Sequence, residues 1–271
     1  MKKYRQLCQK NQEENYLLDK YIFRKISSYF TILFIKIKAT PNQVTFLSLL
    51  ASLGSLYFLT FPAGGMLVIG AALIFLHYIL DHVDGELARY YINTGRQRPS
   101  LKGHYFDVLV HRYSSNLMVF FLGIGIYNLY GQEWVVILGF ITCIGISSFP
   151  NVIASQVIAG KIATDREIIY NNNKMKEILQ EIEKKNKQID DILHGNLLQK
   201  TKKLVIELFF FPGHIVLLIL VIMGDVFSGD FAAGSFQFNL RLMFLMVMAV
   251  LYTSKTIAQS ILWIYRLKHI K

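Results

Sequence analysis

Long apolar stretches constrain this 271-residue chain more than any other feature. At least five windows approach or exceed the ~18 to 20 residues that carry a helix across a bilayer. We place spans at 42–61, 65–88, 104–129, 133–158, 204–223 and 239–264. Hydrophobic residues make up 53% of the chain and mean hydropathy is +0.37, which sets it apart from an ordinary soluble domain. The expected fold class is an all-α integral membrane protein with six transmembrane helices.

Charge supplies the expected orientation. The net charge is +11, unevenly spread. Nine Lys/Arg precede Pro41, ten lie in 159–203, and Arg266, Lys268 and Lys271 close the chain. The alternate connections FPAGG (61–65), YGQEW (130–134) and GDVFSGDFAAGSFQFN (224–239) hold none. By the positive-inside rule both termini are expected in the cytoplasm, which requires an even number of crossings. The basic excess reads as orientation and attraction to anionic lipid; no nucleic-acid motif is present, and no nucleic-acid partner is expected.

Before the first span, YLLDKYIFRKISSYFTILFIKIK (16–38) has apolar residues at 18, 22, 26, 29 and 33. Lys20, Arg24, Ser27, Ser28 and Thr31 fall elsewhere on the wheel. This predicts a basic amphipathic helix lying in the membrane interface, with a seventh span as the alternative. Thr40, Pro41 and Gln43 predict a capped helix start. Small residues Ser48, Ala51, Ser52, Gly54 and Ser55 predict close helix packing. The domain reading is 1–41 as tail and amphipathic helix, 42–265 as the transmembrane domain and 266–271 as a tail. Within the transmembrane domain, the polar cytoplasmic segment 160–203 has helical spacing at 175, 178, 182, 189 and 192. Cys8 and Cys143 suggest neither a disulfide nor a metal motif.

The residues that demand an explanation are DHVDGELARYYINTGRQRPSLKGHYFDVLVH (81–111). Three aspartates stand between apolar stretches, where an unpaired carboxylate is costly and acids signal function. If the second span continues as helix, Asp81, Asp84 and Ala88 share a face, with Gly85 beside them. Gly103, Asp107 and His111, each four apart, form a matching stripe on the next helix. Three facing carboxylates suit a hard divalent cation such as Mg²⁺ or Mn²⁺ and repel one another without one. Gly85 and Ala88 leave room for a bulky ligand, and Arg89 suits phosphate.

DHVDGELAR and GHYFDVLVH resemble the D-x-x-D-G-x-x-A-R and G-x-x-x-D-x-x-x-D halves of the CDP-alcohol phosphotransferase (CDP-alcohol phosphatidyltransferase) motif. The resemblance implies six membrane helices, an N-terminal amphipathic helix and a homodimer. It also implies transfer of a substituted phosphate from a CDP-alcohol donor to an acceptor hydroxyl on a small alcohol, lipid or glycan, releasing CMP. Asp81, Asp84 and Asp107 would bind metal. Gly85, Ala88, Arg89 and Gly103 would hold nucleotide and phosphate. Asp107 and His111 would be catalytic. Two departures stand out: thirteen residues separate Arg89 from Gly103 where the family has eight, and His111 replaces the last Asp. Imidazole is a competent base but a poor Mg²⁺ ligand. Arg112 and Lys255 are further candidates for acceptor or phosphate contact, with pairing to Glu207 as the alternative for Lys255. Two other readings compete: a catalytically altered CDP-binding relative, and a cation transporter using the same carboxylates. The transporter would need acids near the midplane of broken helices.

Overall fold

A computed structural model describes residues 7–8, 22–98, 101–147, 208, 213–228, 230–233 and 236–268. Its helices are α1 (Arg24–Lys36), α2 (Pro41–Leu59), α3 (Gly65–Asn93), α4 (Leu101–Tyr130), α5 (Trp134–Ile146), α6 (Gly213–Ser228) and α7 (Leu240–Lys268). Three are long and apolar enough to cross a membrane: Pro41–Leu59, Gly65–Asn93 and Leu240–Tyr265. α5 and α6 are shorter apolar helices, and the expected helix within 160–203 lies outside the described residues.

One departure from an all-helical chain is a short antiparallel hairpin, β1 (Phe231–Ala233) with β2 (Phe236–Phe238). Sequence reading treated 224–239 as a plain connection. Phe231 faces Phe238 across the hairpin, their rings stacked at 5.9 Å. A cross-strand aromatic pair of this kind favours a ladder that apolar content alone does not reveal.

α2 begins as its sequence demands. Thr40 Oγ1 accepts from the Gln43 amide at 3.3 Å, and Gln43 Oε1 accepts from the Thr40 amide at 2.8 Å, completing a capping box with Pro41 in the first turn. Ser48, Ala51, Ser52 and Ser55 are buried, and α2 packs along α3 and α4. Contact with α4 is close enough that a Cβ at Gly125 would collide with the Leu59 carbonyl oxygen. Small residues at such crossings let backbones meet without a side chain between them. α4 pairs with α5, α7 lies on α5 and α6, and α6 lies on α3. Leu59, Leu67, Ile74, Met118, Leu122, Leu218 and Met248 are among the residues filling the core.

α2, α3 and α4 share two ends. One gathers the start of α2, the C-terminal half of α3 and the start of α4. At the other, Arg241 of α7 donates to Asp225 of α6 and to the carbonyl oxygens of Phe61 and Pro62. Asn239 Oδ1 accepts from the Leu242 amide at 2.9 Å, while its amide nitrogen donates to Asp225. A buried arginine is tolerated because a carboxylate and carbonyl oxygens take up its donors.

α1 lies across α3 with its polar face inward. Ser27, Ser28 and Thr31 are buried, while Ile22, Tyr29, Leu33 and Ile37 are exposed. The hydroxyls assigned from sequence to the polar side of the wheel therefore contact protein rather than water. The exposed side carries apolar residues together with Lys25, Lys36 and Lys38. Leu7 and Cys8 close over the end of α3: the Asn93 side-chain amide donates to the Leu7 carbonyl at 2.8 Å, and Arg89 Nε donates to that of Cys8. Burial, followed by the nearby Glu86 charge, pushes the Cys8 thiol up to about 11.

Candidate active site

α3 runs unbroken through the acidic residues to Asn93, so Asp81, Asp84 and Ala88 occupy successive turns of one helix. α4 begins at Leu101 and sets Gly103, Asp107 and His111 one turn apart. Between these helices and the start of α2 lies a cavity of about 350 Å³. Asp84, Gly85, Ala88 and Arg89 line it from α3, and Gly103 and Asp107 from α4. Six of the residues chosen from the sequence thus meet at one wall.

Asp81 and His111 are not in that wall. They hold each other, with His111 Nδ1 and Asp81 Oδ1 3.2 Å apart. His77 and His82 also lie within electrostatic reach of Asp81. Arg112 is exposed and does not line the cavity. Lys255 is half-buried on α7, with its ammonium over the Tyr252 ring at 5.3 Å from the centroid. Its alternative partner Glu207 lies outside the described residues.

Sequence reasoning missed several contributors. Thr45, one turn after Pro41, donates its hydroxyl to Asp84 Oδ2 at 2.6 Å. This contact fixes the carboxylate's rotamer on the cavity wall. Pro41, Asn42, Gln97, Arg98 and His104 also line the cavity. Arg98 belongs to the loop whose length departs from the motif. The acidic spacing announced the aspartates; the nearness of Thr45, 39 residues away in sequence, needed the α2–α3 packing.

Asp84 feels the charges of both Asp81 and Asp107, so the three carboxylates form one electrostatic group. Three aspartates are the right kind of donor for a hard divalent cation. Among the described residues, however, no three His, Cys, Asp or Glu side chains stand in metal-holding geometry. Asp81 is turned to His111 instead. The donors fit such an ion in kind, while their present arrangement does not close around one. The continuous α3 also lacks the broken midplane helix that the transporter reading requires.

Apolar helices long enough to cross a bilayer, two of which (α2 and α3) border with α4 a cavity lined by acids and arginine, mark an integral membrane protein with a site for a charged ligand. The family model of the CDP-alcohol phosphatidyltransferases matches residues 38–182, and the chain belongs to that family. It is therefore a membrane transferase of the CDP-alcohol kind. A comparison with curated proteins finds no match.

Proposed function

We propose that this protein moves a phosphoalcohol, either a phosphatidyl group or a head-group phosphate, from a CDP-alcohol to an acceptor hydroxyl and releases CMP. The observation that carries this reading is the shared cavity of Asp84, Gly85, Ala88, Arg89, Gly103 and Asp107, with no large side chain at the glycines or Ala88 to block a nucleotide. Arg89 offers a fixed positive charge to the diphosphate. Asp84, Asp107 and Asp81 are the donors that would hold Mg²⁺ or Mn²⁺. Bound there, the cation would offset the charge of the diphosphate and the leaving phosphate.

The chemistry asked of the chain is mostly positioning and proton transfer. The acceptor oxygen forms a bond to the β-phosphorus, the bond from that phosphorus to the CMP oxygen breaks, and CMP leaves with the electron pair. The acceptor's proton passes to His111 or Asp107. An imidazole whose Nδ1–H points at Asp81 presents its Nε2 lone pair elsewhere, which is the tautomer a base requires. Arg112 and Lys255 are further candidates for contact with acceptor or phosphate. In this reading six helices cross the membrane, α1 lies in the interface, both termini and the motif end face the cytoplasm, and two copies pair. Residues 1–41, 42–265 and 266–271 are tail with interfacial helix, transferase domain and tail.

The test is CMP release by purified protein given Mg²⁺ or Mn²⁺, a panel of CDP-alcohols and membrane extract. We expect turnover by the wild type and none by Asp107→Ala, with the variant's melting curve preserved. Full turnover by Asp107→Ala would refute the site. Divalent-dependent CDP binding without turnover in the wild type would instead support the catalytically altered reading.

A further inference from the structure

Glu86 lies inside the acidic motif yet does not face the cavity. Two residues beyond Asp84, it points about 200° away around α3 at 3.6 residues per turn. There it is only 2% exposed. Ser27 Oγ donates to its Oε1 at 2.8 Å and Thr31 Oγ1 to its Oε2 at 2.6 Å. Ser27 and Thr31 are themselves 0% and 1% exposed. One turn apart on α1, the two hydroxyls grip both oxygens of one carboxylate on α3.

A buried carboxylate is costly unless hydrogen bonds satisfy it, and leaving its partners absent is costlier than never placing it there. Two short bonds, one to each oxygen, restrain both the rotation of α3 and its sliding past α1. Burial of apolar surface alone would restrain neither so well, because the hydrophobic effect is non-directional. Aromatic packing extends the grip by one turn: the Phe23 ring meets Tyr78 edge-on at 4.5 Å and stacks with His82 at 6.0 Å. The outward side of α1, with Tyr29, Leu33 and Ile37 among Lys25, Lys36 and Lys38, has the chemistry of the lipid–water interface.

We propose that Glu86, Ser27 and Thr31 are positioning residues: they latch the interfacial helix to the motif helix and so set the angle at which Asp84 and its neighbours meet the cavity. None of the three touches the cavity. Their effect on turnover runs through α3 and rests on the reading of that cavity as the donor site; the latch itself does not.

Two arms test it. For the latch, spin labels are placed at Tyr29→Cys on α1 and Ile69→Cys on α3, in a Cys8→Ala, Cys143→Ala background diluted with excess unlabelled protein and reconstituted in anionic vesicles, so that only distances within one chain are read. The parent should give one narrow distance distribution. Ser27→Ala/Thr31→Ala should broaden or shift it, and the conservative Ser27→Thr/Thr31→Ser, which keeps both hydroxyls, should restore it. An unchanged distribution in the alanine pair, or equal broadening in the conservative pair, overturns the latch. Should the alanine pair fail to fold, Glu86→Gln replaces it, keeping the volume but weakening the acceptor, with intermediate broadening expected and an unchanged distribution overturning. For turnover, the alanine pair should lower kcat for CMP release about 10- to 100-fold with donor KM little changed, as slight misplacement of reacting groups does. A raised KM with unchanged kcat, or no change, overturns the positioning role. If the wild type releases no CMP, the transferase reading fails while the distance arm still decides the latch.

Discussion

The two ends of the bundle each place aspartate among apolar helices, and they resolve it differently. At one end Asp225 is matched by Arg241, which is fully buried and also donates to the carbonyls of Phe61 and Pro62. A smaller cavity of about 200 Å³ adjoins this pair. At the other end Asp84 and Asp107 line a larger cavity, with glycines and an alanine in its wall, while Asp81, close enough for Asp84 to feel its charge, is held by His111. One arrangement fixes α7 to the α2–α3 turn. The other concentrates negative charge beside an open space, as a site awaiting a charged ligand would. A buried acid is thus weak testimony on its own; its partners and the room before it separate scaffold from site.

Breaking the scaffold end should give the largest effect on stability. Arg241→Ala leaves Asp225 buried and unpaired, and we expect a loss of about 3–5 kcal/mol in detergent unfolding. Asp225→Leu combined with Arg241→Met should recover much of it, since an apolar pair of similar volume often replaces a buried ion pair at little cost. Folded molecules of the double variant should still release CMP. An unshifted unfolding curve in Arg241→Ala would remove the contrast.

At the site end, a smaller change should act on turnover rather than on stability. Thr45→Val keeps the shape but deletes the hydroxyl that donates to Asp84. We expect a fall in kcat of about tenfold, corresponding to about 1.4 kcal/mol, the scale of one hydrogen bond to a charged group. Unfolding should shift little, and a variant with wild-type turnover would show that Asp84 needs no such support.

The smallest effect concerns the segment over Arg89. Because burial raises the Cys8 thiol to about 11, its reactive thiolate is scarce at neutral pH and grows only as pH climbs toward that value. Maleimide should label Cys8 slowly in folded protein and rapidly after denaturation, read by mass spectrometry. Fast labelling at pH 7 would mean that residues 7–8 leave the end of α3.

Much of this was legible in the sequence because it is local or periodic. The Thr40–Gln43 capping box, the helical run through the acids and the four-residue spacing of Gly103, Asp107 and His111 need no tertiary information. What escaped depends on neighbours distant in the chain. Glu86 occupies a variable position of the motif, and only the packing of α1 on α3 reveals that Ser27 and Thr31 receive it. The spacing in 16–38 separates polar from apolar residues but does not say which side meets protein, and the structure turns Ser27, Ser28 and Thr31 inward. Asp81 was assigned to the shared face by spacing alone, which carries no information about the competing His111. The Phe231–Phe238 hairpin was hidden because strands of three residues leave too short a period to recognise.

The most direct measurement is calorimetric titration of CDP into purified protein with Mn²⁺ present, for the wild type and for Asp84→Asn. The account predicts saturable, Mn²⁺-dependent binding by the wild type and its loss in Asp84→Asn, with both proteins melting alike. Equal CDP affinity in the two proteins, or no binding by the wild type, would contradict it.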